Sequence, residues 1–240
     1  MRDDVLFPES DETLHATTRY LAALTELSAT DLHSPSALPG WTRAHVVAHL
    51  SRNAEALGGV LLRLAAGEPA AMYPTAESRE YDIAATVATR DRDALVEETQ
   101  ATAATFAEAA AGFPHHLASA TYSRLAGDPA VFEARIVMGL RRTEVEVHHA
   151  DLLLAYTPAQ WPEDFSRSLV RRRQDELAEE GGPSMVLAST DVDGLWKLGS
   201  GPGPEITGAV GDLAWWLVGR GQGRGLVSST GELPRLARWR

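Results

Sequence analysis

The segment Thr143-Glu144-Val145-Glu146-Val147-His148-His149-Ala150-Asp151-Leu152 places two carboxylates and two imidazoles within six residues. These are side chains that bind divalent metals and move protons. An α-helix advances about 100° per residue, so residues four apart share a face. Glu144 and His148 have that spacing. With Val137 as the zero of the wheel, Ala134, Leu140, Glu144, His148 and Ala155 fall within about 60° of it, which marks one inward stripe. Glu146 falls opposite and His149 well off the stripe, so both are expected toward solvent or the rim. Arg141 and Asp151 lie at the edge of the inward face, where either could hold a ligand in orientation. Taken alone, a Glu and a His four apart are more often a local ion pair or a satisfied core histidine. A metal site needs a third ligand from another element.

The elements that must position these residues can be read from apolar spacing and breakers. Residues 8–28 carry Leu14, Leu21, Leu24 and Leu27 at helical intervals, with Ser10 or Asp11 as the cap. Residues 30–40 read as a loop. A second helix follows Gly40-Trp41-Thr42-Arg43, with Thr42 at the N-cap and Val46, Leu50, Leu57, Leu61 and Leu64 as its stripe. On that helix His49 lies about 60° from Val46 and His45 about 100°, so His49 borders the buried stripe and Asn53 follows one turn on. Residues 67–89 form a long connection of the kind that orders over a site. Residues 91–111 are a third helix ended by Gly112-Phe113-Pro114, and His115-His116 are surface residues of a loop. The fourth helix is expected over residues 128–156, with Pro129 at its first position.

Four long helices predict an antiparallel bundle, in which metal sites are built from inward side chains on facing helices. His49, Glu144 and His148 meet that description. Two histidines and one carboxylate leave a coordination position open, the mark of a catalytic rather than a structural zinc. After a linker at Thr157-Pro158-Ala159-Gln160-Trp161-Pro162 the pattern changes to one charged helix (163–180), short strands (185–189, 195–198, 205–210) and a final helix (211–219) with Trp215 and Trp216. The predicted class is therefore α+β, with domains at 1–158 and 159–240. Gly219-Arg220-Gly221-Gln222-Gly223-Arg224-Gly225 is either a flexible turn or a place where backbone approaches a ligand while an arginine grips a carboxylate.

Composition narrows the function. Of 240 residues, 22 are Lys or Arg and 33 are Asp or Glu, a formal net charge of −11, which argues against nucleic acid as a partner. The absence of cysteine removes disulfides, thiolate ligands and a cysteine nucleophile, so thiol chemistry would need a thiol from outside. No run approaches the roughly twenty apolar residues of a membrane span, and the N-terminal residues lack the pattern of a signal peptide. A cytoplasmic monomer is expected.

These pieces resemble the mycothiol-dependent maleylpyruvate isomerase family, whose N-terminal domain is a DinB-like four-helix bundle. The marks are Gly40-Trp41-Thr42-Arg43 with His49, Glu144-Val145-Glu146-Val147-His148 with Asp151-Leu152, Gly219-Arg220-Gly221, and Ser228-Ser229-Thr230-Gly231-Glu232-Leu233-Pro234. The resemblance implies zinc on His49, Glu144 and His148, Arg220 of the C-terminal domain serving the substrate, and mycothiol, an actinobacterial thiol, as cofactor. It implies that a thiolate adds to the cis double bond of maleylpyruvate, the new single bond rotates, and elimination leaves fumarylpyruvate. The C-terminal domain is expected to cover the site, with Arg220 preferred over Arg224 because it directly follows the last helix. The residues leave open a mycothiol S-transferase and a metal-stabilised module without turnover.

Overall fold

In the computed structural model, which describes residues 7, 9–236 and 239, the apolar spacing of the first half of the chain becomes four long helices. The chain divides into two compact units, Met1–Leu152 and Leu153–Arg240. In the first, α1 (Ser10–Thr25), α3 (Arg43–Ala65), α5 (Arg92–Ala111) and α6 (Val137–Asp151) form the bundle. α3 packs on α5 and α6, and α1 packs on α6 and α5, so the four close a ring. Leu57, Leu61, Phe106, Tyr122, Val137 and Met138 lie in its core. Each buried side chain of this size stabilises the fold by about 1.5–3 kcal/mol.

Local chemistry sets the helix starts. Asp91 Oδ1 accepts from the Ala94 amide at 2.9 Å and opens α5. At Thr42 the amide donates to His45 Nδ1 at 3.3 Å and the hydroxyl lies 2.8 Å from the same nitrogen. His45 is thus occupied in capping α3, while His49, one turn on, faces inward.

Several expected elements differ. α1 ends at Thr25, and Ser28 then caps a short helix α2 (Ala29–His33) through a reciprocal box with Asp31, inside the expected loop. The N-cap of α1 is Glu9; Ser10 instead donates to the Phe7 carbonyl at 2.8 Å. The expected start at Pro8, like residues 1–6, lies outside the described residues. The long connection at 67–89 holds strand β1 (Ala71–Tyr73) and helix α4 (Ala76–Thr89). β1 pairs in parallel with β2 (Thr121–Leu125), which pairs antiparallel with β3 (Val131–Glu133). β3 and a single 3-10 turn, Ala134–Ile136, replace the first two turns of the expected fourth helix. α6 stops at Asp151, and Leu153 then takes φ +54°, which a right-handed helix cannot continue through.

The second unit follows its expected order, with the third strand and the last helix ending two residues early and one further, final strand that was not expected. α7 (Glu163–Glu179) precedes β4 (Met185–Ser189), β5 (Leu195–Leu198), β6 (Glu205–Gly208), α8 (Val210–Leu217) and β7 (Val227–Ser228). The sheet order is β5-β4-β6-β7, with β4 and β6 parallel and the outer pairs antiparallel. α7 packs on α8 and β5. Among the described residues no helix is long and apolar enough to cross a membrane.

Candidate metal centre

The Gly40-Trp41-Thr42-Arg43 segment ties the start of α3 to the end of α6. Arg43 Nε donates to the Leu152 carbonyl at 2.6 Å, and the Ala37 amide donates to the Asp151 carbonyl at 2.8 Å. The Trp41 ring packs 5.8 Å from the His49 ring. These bonds set His49 of α3 against Glu144 and His148 of α6.

Glu144 Oε2 lies 2.9 Å from His49 Nε2 and 3.3 Å from His148 Nε2. The two imidazoles stand edge to face, 4.6 Å between centroids. One donor atom from each of the three residues lies within 4.8 Å of the others, so the group could hold a metal ion. His49 and His148 are buried, while the Glu144 side chain keeps 30% of its exposure and forms the open side of the cluster. Behind His148, Nδ1 lies 2.8 Å from Asp151 Oδ2, and Asp151 is fully buried. This is the orienting role available to Asp151 from its place on the helix.

The surroundings tune each group differently. Burial pushes His49 down to about 4, against its hydrogen bond to the Glu144 carboxylate and with the charges of His148 and Arg79 adding to the fall. Burial also acts downward on His148, but its bonds to Asp151 and Glu144 raise it to about 9. For Glu144, burial acts upward and is outweighed by hydrogen bonds from His148 and His49, so the carboxyl sits well below its ordinary value. An ionised carboxylate flanked by two imidazole nitrogens is a donor set that could hold a divalent metal.

Glu146 and His149 are not at the rim. Both are buried, because α6 is packed by α1 on one side and α3 on another, and a single inward stripe does not describe it. Glu146 Oε1 accepts from Arg19 Nη2 of α1 at 2.7 Å, and the His149 ring meets Tyr20 of α1 edge-on at 5.7 Å. Arg141, expected as a partner of Glu144, donates instead to the Leu50 carbonyl at 2.9 Å and to Asn53 Oδ1 at 2.8 Å. Arg79 was not expected at the centre. From α4 its Nη2 lies 3.2 Å from His49 Nδ1. The signal for it was the length of the 67–89 connection, not any motif.

In the second unit Arg220 donates from Nη1 to the Val218 carbonyl at 2.8 Å, and its guanidinium carbon lies 5.6 Å from the centre of the Trp239 ring. Gly219, Gly221, Gly223 and Gly225 all have positive φ. Arg224 is exposed.

The mycothiol maleylpyruvate isomerase N-terminal domain family matches residues 13–153. The chain belongs to this family. The family's match therefore spans α3, α4 and α6 with all three members of the triad. Two solved structures are similar over nearly the whole length: the mycothiol-dependent maleylpyruvate isomerase, with TM-score 0.89, and a histidine-to-alanine mutant of that enzyme, with TM-score 0.88. Each is 26% identical, and each match covers 96% of this chain and 95% of the other. Comparison with curated proteins gives no match.

Proposed function

We propose that the protein is a mycothiol-dependent isomerase that holds one zinc ion on His49, Glu144 and His148 and converts maleylpyruvate to fumarylpyruvate. The observation that carries this reading is the buried convergence of two imidazole nitrogens and one carboxylate in a chain of this family. The donor set suits zinc, since hard calcium and magnesium sites are built from oxygen. The spacing suits it too: tetrahedral bonds of about 2.0–2.1 Å separate donors by about 3.3 Å, and the donors here lie 2.9 and 3.3 Å from Glu144 Oε2. Zinc so held would leave a position open and lower the pKa of a thiol brought to it. Mycothiol would supply the nucleophile that a chain without cysteine lacks, adding to the cis double bond and leaving after rotation.

The protein's own residues prepare this. Asp151 accepts from His148 Nδ1–H, which leaves the Nε2 lone pair for the metal. The depressed Glu144 carboxyl is an anionic ligand across the neutral range. Arg220 is assigned the role of binding a substrate carboxylate.

The test combines metal analysis with turnover. Purified protein should carry about one zinc per chain and isomerise maleylpyruvate only when mycothiol is added, without consuming it. Turnover by thiol-free protein would end the borrowed-nucleophile reading, and thiol consumed in step with product would make the protein a transferase. His49→Ala should lose the metal, while Arg220→Ala should keep it and lose roughly ten- to a hundredfold in kcat/KM, the value of one charged hydrogen bond.

A further inference from the structure

Arg79 reaches the triad from α4 and has no part in the reading above. Its Nη2 lies 3.2 Å from His49 Nδ1, and its guanidinium carbon sits 5.8 Å from the centre of the Tyr73 ring. Nη1 pairs with Glu80, whose side chain is 57% exposed. We propose that Arg79 is a substrate-binding residue, the cation by which the first unit grips one carboxylate of an anionic ligand at the metal centre.

Access supports this first. The imidazoles of the cluster are buried, and its two side chains with appreciable exposure are Glu144 at 30% and Arg79 at 20%. Arg79 and Glu144 flank the same imidazole, Arg79 at His49 Nδ1 and Glu144 at His49 Nε2. The site also needs a cation. The chain carries a net charge of −11, and Glu144 itself repels an anion. The neighbouring arginines are committed: Arg141 to the Leu50 carbonyl and Asn53, Arg52 to Glu55 and Glu98.

The partners that Arg79 now has are ones it can leave. The two histidines are backed by opposite chemistry. His148 Nδ1 faces Asp151, an acceptor, whereas His49 Nδ1 faces Arg79, which can only donate. An imidazole that binds a metal through Nε2 carries its proton on Nδ1, and a guanidinium N–H has nothing to bond there. On the metal reading proposed above, His49 therefore releases Arg79 when the site is loaded. Glu80 is a weak hold, because exposed ion pairs contribute little. A bidentate pair with a ligand carboxylate in a half-buried position is the stronger alternative, and stacking on Tyr73 keeps the guanidinium beside the triad while its edge turns.

Calorimetric titration of maleate into thiol-free protein tests this without turnover, with metal content measured on each sample. Arg79→Ala should keep its metal and bind maleate about ten- to a hundredfold more weakly than wild type. Arg79→Lys, which keeps the charge and the stem, should lie between the two and serves if the alanine variant does not fold. Metal loading of the wild type should strengthen maleate binding. Equal maleate affinity in wild type and Arg79→Ala, or equal lack of it, overturns the proposal. Loss of metal in Arg79→Ala overturns it as well, because Arg79 would then be a positioning residue for His49. A wild type that takes up no metal, yet whose maleate affinity still falls in Arg79→Ala, removes the metal reading and keeps Arg79.

Discussion

Two helices of similar length, α6 and α7, solve opposite problems. α6 buries twelve of its fifteen residues, and seven of those are polar or charged. α7 buries six of seventeen, chiefly one stripe of Phe165, Leu169, Val170 and Leu177. The pairings differ in kind. α6 pairs outward with other elements: Arg141 with α3, Glu146 with Arg19 of α1, Arg142 with Glu9, Glu144 with His49. α7 pairs mostly with itself, through Arg167–Glu163, Arg172–Glu176 and Arg173–Glu176. The polar groups of α6 therefore fix where neighbouring helices stand, whereas the charges of α7 lie mostly along its own surface, with buried Arg173, which also donates to the Leu217 carbonyl of α8 at 3.1 Å, as the exception.

This contrast is measurable, and its largest expected effect is at Arg141. Arg141→Ala empties a fully buried volume and strips the Leu50 carbonyl and Asn53 Oδ1 of their donor, a cost of about 3 kcal/mol in denaturant unfolding. A cost no greater than that of a surface change would break the comparison outright. A smaller effect comes from His149, pushed down to about 4 by burial and by the charge of Arg19. Between its unfolded pKa near 6.5 and that value the unfolded chain holds the extra proton, so the stability contribution is whole above about pH 6.5 and is lost as pH falls toward 4. Between pH 7 and pH 5 the wild type should lose about 1–2 kcal/mol more stability than His149→Gln. Parallel pH profiles for the two would show that His149 is not protected from protonation. The smallest effect is on α7, where Arg167 and Glu163 form an exposed pair. Arg167→Ala should change stability by less than about 0.5 kcal/mol; a larger loss would mean that the exposed charges of α7, like buried Arg173, hold its neighbours.

The same contrast explains what could be read in advance. The strands at Met185–Ser189 and Leu195–Leu198 were legible to the residue, because glycine, proline and aspartate bracket short runs that alternate in burial. α3 was legible from its cap and stripe, α5 from its start at Asp91 and its stop at Gly112-Phe113-Pro114, and His49 separated from His45 by angle alone. Glu146 and His149 were misplaced because a wheel assigns one buried face, while α6 is buried on several. The three-stranded sheet was missed because β1 and β3 have three residues each and β1 finds its partner about fifty residues away, at Ala71↔Ser123. α4 was missed because it buries only Ile83 and Thr86, too little for a stripe, and with it went Arg79. Charged side chains that reach a site from a thinly apolar helix leave no periodic trace.

His49 and Glu144 stand 95 positions apart in the chain. Synthesis adds roughly 5–20 residues each second, so His49 is made about 5–20 s before His148. During that interval the ribosome-bound chain holds one imidazole of the triad without its converging partners, and α6, which supplies the other two members, is the last element of its unit to be made. If the centre binds zinc as proposed, capture there cannot begin on a half-made bundle. The triad thus exists only once the first unit has been completed, and a stalled or truncated product lacking α6 has none.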